Sequence, residues 1–238
     1  MIIVLSSSMM RAADADTIAD GISSTELMRR AAESVYSEIN SKGRIAIVAG
    51  LGNNGGDGFA LAEILSDNGV KPDVYSFRGN MSADAAFYYN RITGKGIEVR
   101  FFDESISLKG YDVIVDCIFG TGGNRKIEGL YEKAVRKINE SGAYIIAMDI
   151  PSGLNSDSGR VMGVAVKADL TVSIGAYKTG HFLNDGMDYT GKLVNYDIGI
   201  NCDKGYYLVE EKDLEPLFPK RKRNVNKGSS GRLVIIGG

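Results

Sequence analysis

A nine-residue segment rich in glycine and amides is the part of this sequence best suited to binding an anion. It runs from Gly50 to Gly58 with the letters GLGNNGGDG, and it follows the apolar segment 44–49, a predicted buried strand. A helix is predicted over 57–67, at its end. Backbone amides in such a turn point outward, and the helix N-terminus adds partial positive charge. The segment therefore predicts a phosphate or nucleotide site.

The polar side chains of this loop offer more than a phosphate cradle needs. Asn53 and Asn54 supply amide groups, and Asp57 supplies a carboxylate or a helix cap. Asn-Gly and Asp-Gly pairs are also common turn formers, so a plain turn is the weaker alternative. The loop contains Gly-x-Gly-x-x-Gly, the dinucleotide fingerprint, which usually has an acidic residue about 20 residues later. Here the next strand, 72–77, is followed by Arg78.

Two further carboxylates come at the ends of apolar strands. Asp116 and Asp149 each close a predicted strand, and each is followed by a polar, glycine-containing loop. Parallel strands end at one edge of a sheet, where ligands bind in such folds. A carboxylate at the end of an apolar strand costs free energy unless it is paired or coordinates a cation. The sequence therefore predicts one site at this edge.

The loop after Asp116 is predicted to be a second phosphate contact, with a flexible surface loop as the alternative. It consists of Gly120, Thr121, Gly122, Gly123, Asn124, Arg125 and Lys126. His181 is the only histidine, and no cysteine and histidine cluster has zinc spacing. Oxygens of Asn, Asp and Ser side chains instead suit a hard cation.

Helices alternate with strands along most of the chain. The predicted helices are 9–20, 24–40, 57–67, 82–92 and 128–140, and the predicted strands are 44–49, 72–77, 97–102, 111–117, 143–149, 169–174 and 192–198. This alternation predicts an α/β fold: a Rossmann-like, doubly wound and mostly parallel sheet with helices on both faces.

Composition limits the classes of partner. The 238 residues suffice for one sizeable α/β domain or two small ones, and a net charge of −2 argues against a nucleic-acid binder. No run reaches the roughly 18 apolar residues of a membrane span. Two cysteines fit a reducing compartment, so the predicted location is cytoplasmic. The oligomeric state stays open, with a homo-oligomer as one outcome.

These motifs, in this order, give the sequence its resemblance to a known family. It resembles the YjeF N-terminal family, the NAD(P)HX epimerases, over roughly residues 7–210. The matching pieces are Gly52–Gly58, Asp116 with its Gly-Thr-Gly loop, the segment 149–154, the Lys178-Thr179-Gly180 segment and the N-terminal helix with Gly21-Ile22 and Leu27-Met28. One departure is Ala32, where the family often has glycine; it affects a helix packing position and not the site.

The resemblance implies a Rossmann-like fold, a bound potassium ion (K+) and the hydrated cofactors NADHX and NADPHX as substrates. By position, the potassium ligands would be Asn54, Asp116 and Ser152. The hydrated dinucleotide would contact Asn53, Asn54, Gly55, Gly56, Asp57, Gly120, Thr121, Gly122, Gly123, Asn124, Arg125, Lys126 and Asp149.

The implied reaction interconverts the R and S forms of NADHX and NADPHX at C6 of the nicotinamide ring. Asp149 is the candidate catalytic acid or base for this epimerisation. It is the second strand-end carboxylate, and Asp116 would be occupied by the cation. Lys178 is the next candidate for the catalytic role. An NAD(P)-dependent oxidoreductase and a non-catalytic nucleotide-binding module remain alternatives.

The C-terminal segment is expected to lie outside the epimerase domain. Residues 1–215 are assigned to that domain, and 216–238 to a linker with the truncated start of an ADP- or ATP-dependent NAD(P)HX dehydratase domain. The basic run 220–223 precedes an apolar segment, 233–236, that ends in Gly-Gly. The full-length protein is therefore expected to be a bifunctional repair enzyme.

Overall fold

A computed structural model describes residues 2–40, 43–123, 125–202 and 204–217, together with residues 224 and 234. The chain divides into a main unit, Ile3–Tyr206, and a second unit that contains the described residues from Tyr207 onward and Ile2. The expected strand at 233–236 falls almost entirely outside the described residues. In the described part of the chain, no helix combines the length and apolar character needed to cross a membrane.

The main unit contains the helices and strands that the alternation predicted, together with three short elements that it did not predict. In chain order they are β1 (Ile2–Leu5), α1 (Ser7–Ala19), α2 (Ser24–Glu38), β2 (Ile45–Ala49), α3 (Asn53–Asp67), β3 (Asp73–Ser76), α4 (Ala83–Gly94), β4 (Val99–Phe101), β5 (Val113–Cys117), α5 (Gly129–Asn139), β6 (Tyr144–Met148), β7 (Leu170–Ile174), β8 (Tyr177–Lys178), α6 (Gly186–Thr190) and β9 (Lys192–Tyr196). The second unit contains β10 (Tyr206–Leu208), α7 (Glu211–Leu214) and a 3-10 turn over Glu215–Leu217.

Seven strands form one sheet in the order β4-β3-β2-β5-β6-β7-β9, and every neighbouring pair is parallel. The predicted α/β fold is therefore confirmed. The chain leaves β2 for β3 on one side and later returns to β5 on the other side. Strand order thus reverses between β2 and β5, and their carboxyl ends form the crevice where ligands bind in such folds.

Side chains of β2 show how the two faces of the sheet are covered. Ile45 and Ile47 pack into a core built with α2, α3 and α4, whereas Ala46 and Val48 pack into a second core with α5. This alternation follows from the two-residue period of a strand. Because both faces are buried, the strand is apolar throughout, as expected for a parallel sheet.

The N-termini of α2 and α4 agree with local sequence signals, whereas the N-terminus of α3 does not. The Ser23 hydroxyl caps α2 by accepting the Glu26 N–H at 3.2 Å, and Ser82 caps α4 in the same way. Helix α3, however, begins at Asn53, four residues before the predicted start at 57. The expectation that Asn53–Asp57 form a loop was wrong. Glycine has low helix propensity, but tertiary packing overrides it here.

One strand pair was not expected from the sequence. Strand β1 pairs in parallel with β8, with Leu5 opposite Lys178. Segments of four and two residues give no measurable period, so neither was recognised as a strand. The pairing anchors Lys178, which follows β7 closely in the chain.

Close packing at the end of β2 generates a stability prediction. The Gly50 N–H donates to the Cys117 carbonyl at 2.9 Å, and a Cβ on Gly50 would lie 1.9 Å from the Ile118 carbonyl oxygen. We expect Gly50→Ala to lower the free energy of unfolding by about 1–3 kcal/mol through overpacking. Gly94→Ala in α4 is the control, because no described atom lies within 4 Å of its Cβ position.

Urea denaturation followed by circular dichroism measures both variants. Gly94→Ala should be neutral or more stable by about 0.5–1 kcal/mol, since alanine is the better helix former. Equal stability of Gly50→Ala and the wild type would contradict the packing argument.

Candidate active site

A cleft of about 970 Å³ lies at the carboxyl edge of the sheet in the main unit. Helix α1, the start of α3, the loop after β5, the end of β6 and β8 all contribute to its walls. Of the residues predicted to bind a dinucleotide, those lining it are Asn53, Asn54, Asp57, Gly120, Thr121, Gly122, Gly123, Arg125, Lys126 and Asp149. Asn124 lies outside the described residues.

Gly55 and Gly56 occupy a different place from their neighbours. Both are buried in the first turn of α3. A Cβ on Gly55 would lie 2.0 Å from the Gly50 carbonyl oxygen, and one on Gly56 would lie 2.6 Å from Met28 Sδ. The absence of side chains lets α3 pack against the end of β2 and against α2.

An ion pair between Asp149 and Lys178 forms one wall of the cleft. Asp149 follows β6 with φ 70°, a left-handed conformation uncommon for a residue other than glycine. Its Oδ1 accepts a hydrogen bond from Lys178 Nζ and another from the Ile174 N–H at 3.2 Å. The Lys178 side chain is 0% exposed, and its Nζ also donates to the Ile174 carbonyl at 2.7 Å. The strand-end carboxylate therefore has a buried cationic partner.

His181 forms hydrogen bonds with the backbone of both residues of this pair. The Lys178 N–H donates to His181 Nδ1 at 3.2 Å, and His181 Nε2 lies 3.0 Å from the Asp149 carbonyl oxygen. Since Nδ1 accepts, Nε2 carries the proton and donates, which defines the neutral tautomer. Burial, aided by the charge of Lys178, lowers the pKa of His181 to about 3. The only histidine in the sequence thus holds two backbone segments together.

Two more carboxyl groups line the cleft, one of which the sequence did not reveal. Burial raises the pKa of Asp57 well above its usual range, with the charge of Asp149 as the second cause. The pKa of Asp14 in α1 is raised to about 6 by burial and then by Asp149. The signal for Asp14 was available in its spacing, since Met10, Asp14 and Ile18 recur every four residues on α1 and all line the cleft.

Asp116 and Ser152 are hydrogen-bonded to each other, and neither is among the residues that line the cleft. Ser152 donates to Asp116 twice, from its N–H at 2.8 Å and from its Oγ at 2.7 Å. The Ile118 N–H donates to the same carboxylate at 3.2 Å. Both Asp116 and Ser152 are 0% exposed, and burial raises the pKa of Asp116 to about 6 despite these hydrogen bonds.

Asn54 contacts the loop that follows the strand of Asp116. Its side chain packs against Gly120, where a Cβ would lie 3.3 Å from Asn54 Cβ. Asn54 is 8% exposed, and within the described part of the chain its Nδ2 has no hydrogen-bond partner. A buried amide N–H without a partner is uncommon and indicates a place for a hydrogen-bond acceptor of a ligand.

The loop after β5 also contributes two cationic side chains to the lining of the cleft. Arg125 and Lys126 are exposed, and Lys126 forms an ion pair with Glu128 at 2.9 Å. Elsewhere, Arg78 takes the place of the acidic residue that the dinucleotide fingerprint requires. Its guanidinium lies 4.4 Å from the centre of the Phe101 ring. Arg78 is therefore occupied by stacking on the neighbouring strand.

A parallel sheet with polar side chains gathered at its switch point defines a ligand-binding protein of the doubly wound α/β class. The family model described as YjeF-related protein N-terminus matches residues 24–180, and the chain belongs to this family. The resemblance recognised from the motifs is therefore confirmed.

Two kinds of relative match the chain, bifunctional repair enzymes and epimerases. The chain is 36% identical over 235 residues to the bifunctional NAD(P)H-hydrate repair enzyme Nnr of Coxiella burnetii, covering 93% of this chain and 48% of that protein. It is also 36% identical over 198 residues to an NAD(P)H-hydrate epimerase of Limosilactobacillus fermentum, covering 81% of this chain and 95% of that protein. The chain thus spans about half the length of the bifunctional relatives.

A solved structure supports the fold alone. The crystal structure of a yeast protein, ynu0, superposes with a TM-score of 0.69 at 20% sequence identity. The match covers 88% of this chain and 97% of that one.

The buried imidazole generates a prediction on pH. In the unfolded chain His181 has an ordinary pKa near 6.5, whereas in the native protein it binds a proton only near pH 3. Its contribution to stability is therefore complete above pH 6.5 and is lost as the pH falls toward 3. Relative to His181→Gln, we expect the wild-type free energy of unfolding to fall by up to about 1.4 kcal/mol per pH unit below pH 6.5.

Urea denaturation of both proteins across this pH range measures the difference. Asp14 and Asp116 have the opposite effect on stability, because their raised pKa values favour the native state as the pH falls. Both proteins contain these two residues, so their effect cancels in the difference between the wild type and His181→Gln. A difference in stability that does not vary with pH would show that His181 takes up a proton in the native state.

Proposed function

We propose that this protein interconverts the R and S forms of hydrated NADH and NADPH, NADHX and NADPHX, at C6 of the nicotinamide ring. The proposal is supported by family membership and by the similarity to an NAD(P)H-hydrate epimerase over 95% of that relative's length. The observation that carries it is the Asp149 carboxylate, fixed by Lys178 at the wall of the cleft.

Epimerisation at C6 requires an acid or base held close to the C6 hydroxyl group. In NADHX, C6 carries a hydroxyl group next to N1. The C6–oxygen bond can break with help from the N1 lone pair, and water can return on the other face without any redox step. A carboxyl group at the C6 hydroxyl can relay the proton. This requirement distinguishes the epimerase from the oxidoreductase alternative, which needs a hydride acceptor.

Asp149 has the geometry for this role. Among the described residues, the hydrogen bonds to its carboxylate both go to Oδ1. Oδ2 is therefore left for the substrate, while the side chain remains 15% exposed at the cleft. The ion pair fixes the carboxylate, so little reorganisation is required when the proton moves.

The dinucleotide is proposed to lie along the start of α3 and the loop after β5. Gly52 caps α3 without a side chain, and no described atom lies within 4 Å of its Cβ position, so a phosphate can approach the backbone. Arg125 and Lys126 are exposed cations on the opposite loop. The α3 N-terminus and these cations would neutralise the pyrophosphate.

We also propose potassium as the resident cation, held by Asn54, Asp116 and Ser152. The Asp116 carboxylate is fully buried, and within the described residues it forms no ion pair. Burying such a group costs free energy unless a cation neutralises it.

No group of three or more His, Cys, Asp or Glu side chains suited to a metal ion occurs in the described residues. The donor set proposed here is of another kind, with one carboxylate, one amide and one hydroxyl. When bound, potassium would supply a fixed positive charge, with ligands from α3, from the end of β5 and from the loop after β6.

The proposed domain organisation follows from the length of the relatives. Since the chain spans about half of each bifunctional relative, we propose residues 1–215 as the epimerase domain. Residues 216–238 are proposed as a linker and the start of a fused ADP- or ATP-dependent dehydratase domain. A cytoplasmic location, supported by the two cysteines, and a homo-oligomer remain predictions.

The catalytic proposal predicts the effect of Asp149→Asn. An amide cannot relay the proton, so we expect R-to-S conversion of NADHX to fall by about 10²–10⁴-fold. Asp188→Asn is the control, because Asp188 is an exposed carboxylate in α6. Chromatographic separation of the two epimers measures the rate. Wild-type activity in Asp149→Asn would contradict this role and make Lys178 the next candidate. An inactive wild-type protein would instead favour a non-catalytic nucleotide-binding module.

The potassium proposal predicts a cation-specific gain in stability. At neutral pH and equal ionic strength, KCl should raise the midpoint of thermal unfolding above that in choline chloride. A ligand at about 100 times its Kd stabilises by about 2.7 kcal/mol. Asp116→Asn should remove the difference, and Asp188→Asn should keep it. An equal effect of lithium, or a full effect in Asp116→Asn, would contradict this site.

A further inference from the structure

Helix α1 presents a single carboxyl group to the cleft between two apolar side chains. Met10, Asp14 and Ile18 line it at four-residue spacing. The start of the helix is fixed, because Ser7 donates to Asp157 from its N–H at 2.5 Å and from its Oγ at 2.7 Å. Asp14 therefore projects from an anchored element into the proposed substrate cleft. Nothing in the function proposed above uses it, and it precedes the segment matched by the family model.

The partners of the carboxyl groups in this cleft differ. Asp149 is paired with Lys178, whereas Asp14 has no hydrogen bond or ion pair within the described residues. Asp57 on α3 is likewise without one there. Asn54, more than nine-tenths buried on the same wall, has an unpartnered Nδ2. A polar group buried without a partner, as the Asn54 amide is, points to a ligand that would complete its hydrogen bonds.

The charged groups facing Asp14 come from several elements. Asp149 and Lys178 act from the end of β6 and from β8, with opposite effects on its pKa. Asp57 on α3 is coupled to Asp14, and Arg11 precedes it on its own helix. Burial is the largest cause, and the resulting pKa of Asp14 is about 6. Asp14 is therefore protonated in part of the neutral range.

We propose that Asp14 is a second acid–base residue of the epimerase site, acting at one face of C6 while Asp149 acts at the other. The inference rests on the proposed function. One carboxylate fixed by an ammonium and one carboxyl without a counter-charge, in the same cleft, form the arrangement that separates a base from an acid.

Protonated Asp14 gives its proton to the C6 hydroxyl oxygen, the C6–oxygen bond breaks, and the N1 lone pair forms an N1–C6 double bond. Water departs on that face. A second water attacks C6 from the opposite face and gives a proton to Asp149, while the pair of electrons returns to N1. The configuration at C6 is inverted, and the proton returns from Asp149 to Asp14 through solvent in the cleft.

The test compares Asp14→Asn with Asp16→Asn, an exposed carboxylate on the same helix. For R-to-S conversion of NADPHX, we expect Asp14→Asn to lower kcat by about 100-fold or more, with KM unchanged, and Asp16→Asn to match the wild type. The acid must be protonated, so the wild-type rate should fall as pH rises through about 6. Asp14→Asn should lose this decline, and Asp14→Glu should restore part of the rate together with it.

The outcomes separate this inference from the function on which it rests. An inactive wild-type protein would overturn the proposed function. An active wild type with full activity in Asp14→Asn would overturn the inference alone. A raised KM with unchanged kcat, or a slow Asp14→Asn with the wild-type pH profile, would assign Asp14 to substrate binding or folding. If Asp14→Asn does not fold, a pH profile of Asp14→Glu identical to that of the wild type would overturn the acid–base role.

Discussion

The ion pair between Lys178 and Asp149 is the interaction on which the geometry of the site depends. An ammonium group that is 0% exposed is stable only because Asp149 and the Ile174 carbonyl replace its water. Removing one partner of such a pair typically costs about 3–5 kcal/mol, because the other charge stays buried. The pair therefore ties the end of β6 to the end of β7 and to β8. It also holds Asp149 in a left-handed conformation that an isolated chain would rarely adopt.

Around that pair, the sheet edge collects carboxyl groups with different partners. Asp149 has a cation, Asp116 has three hydrogen bonds from neighbouring groups, and Asp14 has no partner within the described residues. These differences give each group a different task in the proposed function. A paired carboxylate keeps its position and can accept a proton. A buried one with hydrogen bonds but no counter-charge suits a cation. An unpaired one suits proton donation to a ligand.

Much of this arrangement follows from sequence pattern, and the exceptions have physical causes. Apolar strands alternating with amphipathic helices predicted the sheet, and strand-end carboxylates predicted its functional edge. The start of α3 was misplaced because local propensity disfavours glycine in helices, while packing against Gly50 and Met28 compensates. The partner of Asp149 lies 29 residues away, and Lys178 is positioned in part by the unexpected pairing of β1 with β8. Local pattern carries no information on such a contact.

The glycine-rich segment combines buried packing positions with polar side chains that line the cleft. Its buried glycines set the distance between α3 and the strands: a Cβ on Gly58 would lie 2.8 Å from Cys117 Cβ, and one on Gly55 still closer to the Gly50 carbonyl. Its polar members, Asn53, Asn54 and Asp57, line the cleft from the first turn of the same helix. Because the helix begins this early, its N-terminus reaches the crevice between β2 and β5. The contribution of the glycines to the proposed site is therefore mainly one of position, because they allow the helix N-terminus and the side-chain amides to reach the cleft.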